Sequence, residues 1–220
     1  MKNALIILAA GGMALMLVSP CQSANSILYG DFASWSAAVG GSYISQDFEG
    51  YVHLTDLNGV DVLSGVNFTS NMTNVVAWQG AGDTELFAFD DITREQEIAY
   101  YDINLTLPYY AVAFDVDSWN PLEQPGQSTA EIFFADLTSI SVGYYQTGPT
   151  EDTPVFFGIA SDTAITKIRW HEGLETDGGN EEVAFDHLAV SRISIPEPSM
   201  ISAFGVLLLL GAGRSLRRKT

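Results

Sequence analysis

An all-β fold, a jelly-roll-like antiparallel β-sandwich, is what the central part of this 220-residue sequence predicts. Three observations point there. Short runs rich in β-branched and aromatic residues follow one another from Tyr43 onward; Gly, Pro, Asn and Asp separate them; and no helical linker lies between them. Sheets of this kind are apolar on one side, and two of them bury those sides by facing each other.

The elements come in a readable order. Lys2, the apolar run Ala4 to Val18 and Pro20 before small residues predict a secretory signal helix over residues 1–23, cut after Ser23 with Cys21 at the −3 position. Acylation of Cys21 as a lipoprotein is the alternative, and Pro20 fits it poorly. With the cut at Ser23 the single cysteine departs, leaving neither disulfides nor thiol chemistry. Residues 24–195 then form one domain, large enough to fold around one core. Asp31 to Val39 carries the one helical pattern, with Phe32, Trp35, Ala38 and Val39 on one side and Gly40-Gly41 as its stop. Strands are predicted at Tyr43 to Phe48, Gly65 to Thr69, Asn74 to Trp78, Glu85 to Phe89, Ala99 to Leu107 and Tyr110 to Asp117. They continue at Thr129 to Phe134, Ser139 to Tyr145, Val155 to Ala160, Ala164 to His171 and Glu182 to Ile193. Within Val112–Asp117 the alternation sends Val112, Phe114 and Val116 to the core, and Ala113, Asp115 and Asp117 to a wet or ligand-facing side. Pro121 to Ser128 and Glu175 to Glu182 read as loops.

Charge narrows the partners. Without the two removable ends, 4 basic residues (Arg94, Lys167, Arg169 and Arg192) remain against 26 acidic ones, a net −22. Such a surface repels nucleic acid, anionic membranes and polyanions, and it favours cations.

Residues 196–220 read as an address label rather than as part of the fold. Pro196-Glu197-Pro198 is followed by an apolar helix and then by Arg214, Arg217, Arg218 and Lys219. The apolar stretch Ser199 to Gly213 holds 15 residues, short of the ~20 that a permanent anchor uses. Basic residues beyond it stay on the cytoplasmic side, which places the body outside the inner membrane. The segment resembles the PEP-CTERM sorting signal of Gram-negative bacteria, also called the ice-binding protein C-terminal domain. That resemblance implies a C-terminal transmembrane helix held transiently in the inner membrane, and recognition and cleavage by an exosortase. The protein would then reach the cell surface or the exterior, with signal peptidase processing the other end and exopolysaccharide or biofilm matrix as the setting. An ordinary single-pass anchor is the alternative, and it also places the body outside.

The body resembles lectin-like ectodomains that precede such tails, through Phe32 with Trp35, Asp47-Phe48-Glu49-Gly50, Gly65-Val66-Asn67-Phe68, Val112 to Val116, Gly158 to Thr163 and Ala184 to Leu188. It is also similar to MAM and carbohydrate-binding jelly rolls, where a structural Ca²⁺ sits between the first and last strands. The resemblance implies Asp47, Glu49 and Asp186 as metal ligands, although Asp186-His187 stands where those families more often carry two acids. Ca²⁺ takes six to eight oxygens, and on a strand Asp47 and Glu49 would share a face. The acidic loop Asp177 to Glu182 lacks the spacing of an EF-hand.

Sugar binding calls for exposed aromatics beside amides and carboxylates. Trp119-Asn120, after Asp115 and Asp117, is the foremost ligand-binding candidate, with Trp78, Tyr144 and Tyr145 behind it, whereas Trp35 and Trp170 are assigned to the core. No G-x-S-x-G, H-E-x-x-H, P-loop or G-x-G-x-x-G occurs, the E-x-D-x-x-E strand pattern of laminarinase-like glycosidases is absent, and His53, His171 and His187 are scattered. The expectation is a non-catalytic exported protein. A calcium-dependent carbohydrate-binding module, or a secreted hydrolase using two carboxylates ~5–9.5 Å apart, are the alternatives.

Overall fold

The computed structural model describes residues 24–79, 83–89, 100–118, 128–143, 154–172 and 183–196. The signal helix, the sorting helix with its basic cluster, and Trp119, Tyr144 and Tyr145 lie outside them. Among the described residues no helix is long and apolar enough to cross a membrane.

Twelve strands and one helix make up the described chain. They are β1 (Ser26–Tyr29), α1 (Phe32–Ala38), β2 (Ile44–Gln46), β3 (Thr55–Asp56), β4 (Asp61–Leu63), β5 (Val66–Ser70), β6 (Asn74–Gln79), β7 (Thr84–Phe89), β8 (Tyr100–Ser118), β9 (Thr129–Phe134), β10 (Ser139–Gly143), β11 (Val155–His171) and β12 (Val183–Ser191). All pair antiparallel in one continuous sheet.

Two long strands fold that sheet double. The sequence predicts a break at Pro108 and another before Ala164, yet β8 and β11 run through both places as strands of 19 and 17 residues. The pairing of β11 with β8 jumps from Ala160↔Ala111 to Ile165↔Tyr109 and then to Lys167↔Asn104, so residues 161–164 bulge opposite Tyr110 and residues 105–108, Pro108 among them, bulge opposite Thr166. Proline, which has no N–H for the ladder, is tolerated at such an irregularity. Punctuation read as two turns is therefore two bends. The first layer runs β10, β9, the 165–171 half of β11, the 100–105 half of β8, β5 and β4. The second runs β1, the 155–161 half of β11, the 109–118 half of β8 and β12, then β2 and β7 along one edge of β12, and finally β6 and β3.

Between the layers lies one core. Phe185 of β12 sits 4.8 Å from Tyr101, 5.3 Å from Phe114, 6.0 Å from Trp170 and 6.2 Å from Phe68, ring centre to ring centre, which ties both layers together. Val112, Phe114 and Val116 all face this core, as their alternation requires. Trp170 is also buried there.

The helix covers the outside of the second layer. Asp31 caps it, accepting the Ser34 N–H at 2.8 Å, and Gly40 and Gly41 end it with φ of +62° and +69°. Its Trp35 lies on a floor of Ala111, Ala113, Ala160 and Ala189, and donates its indole N–H to the Ile159 carbonyl at 3.1 Å. Only small floor side chains let a flat indole lie so close to a sheet. Ala113, assigned to a wet face by alternation alone, is thus buried beneath α1.

Candidate functional site

The second layer has a gap in its edge. Along β12, β2 is paired as far as Leu188↔Gln46, and β7 takes over from Phe185↔Leu86. Asp186 and His187 fall between. The chain leaving β2 therefore turns away just where the chain entering β7 arrives, and acids from three segments are drawn to one place. Here β12 also bulges against β8, with a register shift between Asp186 and Ala189 and a left-handed φ of 48° at His187.

Asp186 stands directly opposite Asp115 across the β12–β8 ladder. Like charges at such a pair repel, and His187 bridges them: its Nδ1 lies 2.8 Å from Asp186 Oδ2 and 3.2 Å from Asp115 Oδ2. The imidazole is 61% exposed, whereas the Asp186 side chain beneath it is only 8% exposed. Oδ1 of Asp186 is buried and has no hydrogen-bond partner among the described residues. Burial, reinforced by the charges of Asp83 and Asp115, pushes the Asp186 carboxyl up to about 6 against the pull of His187. Burial also raises Asp115, again opposed by His187.

Asp47 and Glu49 do not share a strand face. They lie in the turn beyond β2, where Phe48 takes a left-handed φ of 57° that drops its ring into the core. Asp47 Oδ1 accepts the Glu49 N–H at 3.3 Å, and Glu49 reaches away to accept the Thr84 N–H at 2.9 Å. A shared hydrogen bond with Asp83 raises the Glu49 carboxyl. Asp83 therefore links Glu49 to Asp186 electrostatically, a role that nothing in its sequence context signals. Among the described residues no group of three or more His, Cys, Asp or Glu side chains is placed to hold a metal ion.

An aromatic cluster begins one strand away from Asp115. Phe156 pairs with Asp115 across the β11–β8 ladder, on the outward side because Phe157 takes the inward one. Its ring leans over Gly158, where a Cβ would come within 2.6 Å of it and within 3.1 Å of Trp35. Phe32, 40% exposed, meets Phe156 edge to face at 6.2 Å and Tyr43 at 5.3 Å. Trp78 lies farther along the layer, half-buried against His53 and Phe87 at 4.8 and 5.7 Å.

The outer face of the first layer is organised differently. Strand register sets its side chains in cross-strand rows: Thr129, His171 and Tyr100; then Ser141, Glu131, Arg169, Asp102 and Thr69; then Ser139, Phe133, Lys167, Asn104, Asn67 and Asp61. Arg169 grips Asp102 with Nε and Nη2, both at 2.6 Å, while its guanidinium lies 4.0 Å from the Tyr100 ring centre. Lys167 sits over the Phe133 ring at 4.3 Å and 3.7 Å from Asp102. Asn104 donates to Asn67 at 3.2 Å and to Thr69 at 3.1 Å, and Asn67 donates to Asp61 at 3.1 Å. Burial lowers His171. Sequence reasoning passed over this face because its residues are spread over six strands, and only register assembles them.

No family model and no curated protein matches the chain. Solved structures resemble it distantly. A variant of a family 29 carbohydrate-binding module aligns at TM-score 0.39 and 12% identity over 71% of this chain and 99% of its own. Another family 29 module, from Piromyces equi, gives 0.36 and 11% over 79% and 93%. The K2 adhesin domain of Lys-gingipain gives 0.34 and 10% over 76% and 99%. Scores of this size leave function to be argued from the residues.

Proposed function

We propose that this chain is an exported, non-catalytic surface protein that binds polysaccharide through the outer face of its first layer. The observation that carries the reading is the row structure of that face. Six adjacent strands contribute to it, and at ~4.8 Å per strand it extends ~24 Å, room for several sugar rings. The Arg169–Tyr100 stack and Phe133 offer planar surface for the apolar faces of sugars. Asn104, Asn67 and Ser141 offer donors and acceptors for hydroxyls. Because these side chains already hold one another, little rotamer freedom is lost on binding.

Delivery to the exterior rests on the signal sequence and on the exosortase-type tail. The contacts at the ends of the body fit that reading. Asn25 bonds Asp162 through both its backbone N–H and its side chain at 3.1 and 2.7 Å, and Ile195 donates to the Ser161 carbonyl at 3.2 Å. Both ends thus meet at one corner of β11, with Pro196 following immediately.

Affinity electrophoresis of the full-length protein through gels holding neutral polysaccharides tests the reading. Retardation is expected without release of reducing ends, and Asn104→Ala or Phe133→Ala should cut it about tenfold with unchanged circular dichroism. No retardation across the panel would refute it. Deleting residues 196–220 should change how the protein partitions between membrane, surface and medium.

A further inference from the structure

The notch on the second layer is a separate feature with an incomplete bonding pattern. Two carboxylates face each other on adjacent strands, and a single imidazole nitrogen, His187 Nδ1, sits between them at 2.8 and 3.2 Å. That nitrogen marks the place where an N–H group is held between two carboxylates. One imidazole nitrogen offers one hydrogen, and Asp186 Oδ1 is left buried without a partner among the described residues. A group with three donors would serve the pair better.

Resting on the glycan-binding reading above, we propose that the Asp115–Asp186 notch takes the ammonium group of an amino sugar, which displaces His187 and makes the protein selective for glycans with free amines. Three features favour this occupant. The ammonium replaces one partly satisfied acceptor pair by charge-assisted hydrogen bonds to both carboxylates. Phe156, opposite Asp115 on the neighbouring strand, supplies apolar surface for the rest of the sugar ring. The strongly acidic body, with 4 basic against 26 acidic residues, concentrates cationic ligands near its surface.

His187 is built to leave. It is the exposed member of the trio, on a bulge, and its left-handed φ of 48° is a conformation that costs a residue with a Cβ. Glycine at this position relieves the backbone and removes the competing imidazole together.

Calorimetry on the purified full-length protein in detergent, near neutral pH, compares a deacetylated glucosamine oligomer with an N-acetylglucosamine oligomer of the same length. The free-amine oligomer should bind at least about tenfold more tightly. Asp115→Asn should abolish that preference while leaving retardation by neutral polysaccharide intact, and His187→Gly should strengthen it several-fold. Equal affinity for the two oligomers, a preference that survives Asp115→Asn, or one that weakens in His187→Gly would overturn the proposal. So would binding that chelator removes and Ca²⁺ restores, because the occupant would then be a metal ion. A preference that persists when neutral polysaccharides fail to bind would sink the first-layer reading and leave the notch standing.

Discussion

The two outer faces of this folded sheet solve the problem of burying charge in opposite ways. On the first layer, Asp102 is 8% exposed and has both oxygens held by Arg169 at 2.6 Å, with Lys167 behind. On the second, Asp186 is comparably buried, yet one oxygen is unpartnered and the nearest strand presents another carboxylate. Both aspartates lie on strands of the same sheet and differ in what register places opposite them: Arg169 in one case, Asp115 in the other. A satisfied pair makes a rigid surface. An unsatisfied one makes a place where something else can bind.

The contrast between faces presupposes a common core, and removing that core should cost most. Phe185→Ala deletes the ring that touches Tyr101 and Phe68 of the first layer and Phe114 of the second. A loss of about 3–5 kcal/mol is expected in urea unfolding, with both faces losing binding together. If one face survived, the layers would be energetically independent.

Next in size is Asp102→Ala, which leaves Arg169 and Lys167 without their carboxylate. Breaking a buried pair costs about 3–5 kcal/mol, and the 27% exposure of Arg169 reduces that to about 2 kcal/mol here. The double change Asp102→Leu with Arg169→Met should recover most of the loss, since the penalty belongs to the stranded charge and not to the missing bond. Binding to neutral polysaccharide should still fall in the double variant, because the guanidinium stacked on Tyr100 has gone.

Much of this architecture was legible in the chain. Alternation at Val112–Val116 located a core strand, and the spacing of Phe32, Trp35 and Val39 with Gly40-Gly41 located the helix. The short strands β1, β3 and β4 were not legible, because two to four residues carry too little periodicity to separate from loop. Pro108 was read as a terminator, since a proline says that the ladder is interrupted but not whether the chain turns back or only bends. At the notch Asp186 was singled out only as a metal ligand, through the resemblance to Ca²⁺-binding jelly rolls. That it meets Asp115, placed only on a wet or ligand-facing side, together with His187 and Asp83 was not legible, because a bulge and the break between β2 and β7 bring them together, and neither leaves a local mark. Asp47 and Glu49 misled for a related reason. Two-residue spacing implies one face only on an extended strand, and the left-handed Phe48 between them ends the strand there.

A smaller effect separates the faces by pH. Asp186 has its carboxyl raised to about 6 from an ordinary value of 3.8. The folded state therefore holds a proton that the unfolded state has lost, and stability falls as pH rises between those values. Asp115 and Asp83 act on the same group and add to the rise, while His187 opposes it. Asp186→Asn removes the charge that the fold disfavours, so it should stabilise by about 1 kcal/mol at pH 8 and have little effect at pH 4. Thermal melts at the two pH values decide this. Equal shifts at both would mean that the carboxylate is not what the fold resists.

Asp31 should respond in the opposite direction and least of all. Its carboxylate accepts the Ser34 N–H and the Ser34 hydroxyl, both at 2.8 Å, and these bonds lower its pKa. A carboxyl lowered on folding contributes stability that is present above its ordinary value and is lost as pH falls through the folded one. Asp31→Asn keeps a capping oxygen that does not titrate, so its melting temperature should match the parent at neutral pH and exceed it only in acid. Asp31→Ala removes the cap, and a drop of a few degrees at neutral pH should vanish near pH 2. Because α1 holds Trp35 on the alanine floor beside the Phe156–Asp115–Asp186 row, the alanine variant should also loosen the aromatic rim, read as weaker binding of free-amine glycans with neutral polysaccharide binding unchanged. Equal weakening of both would mean that the helix braces the whole sandwich and not the second face alone.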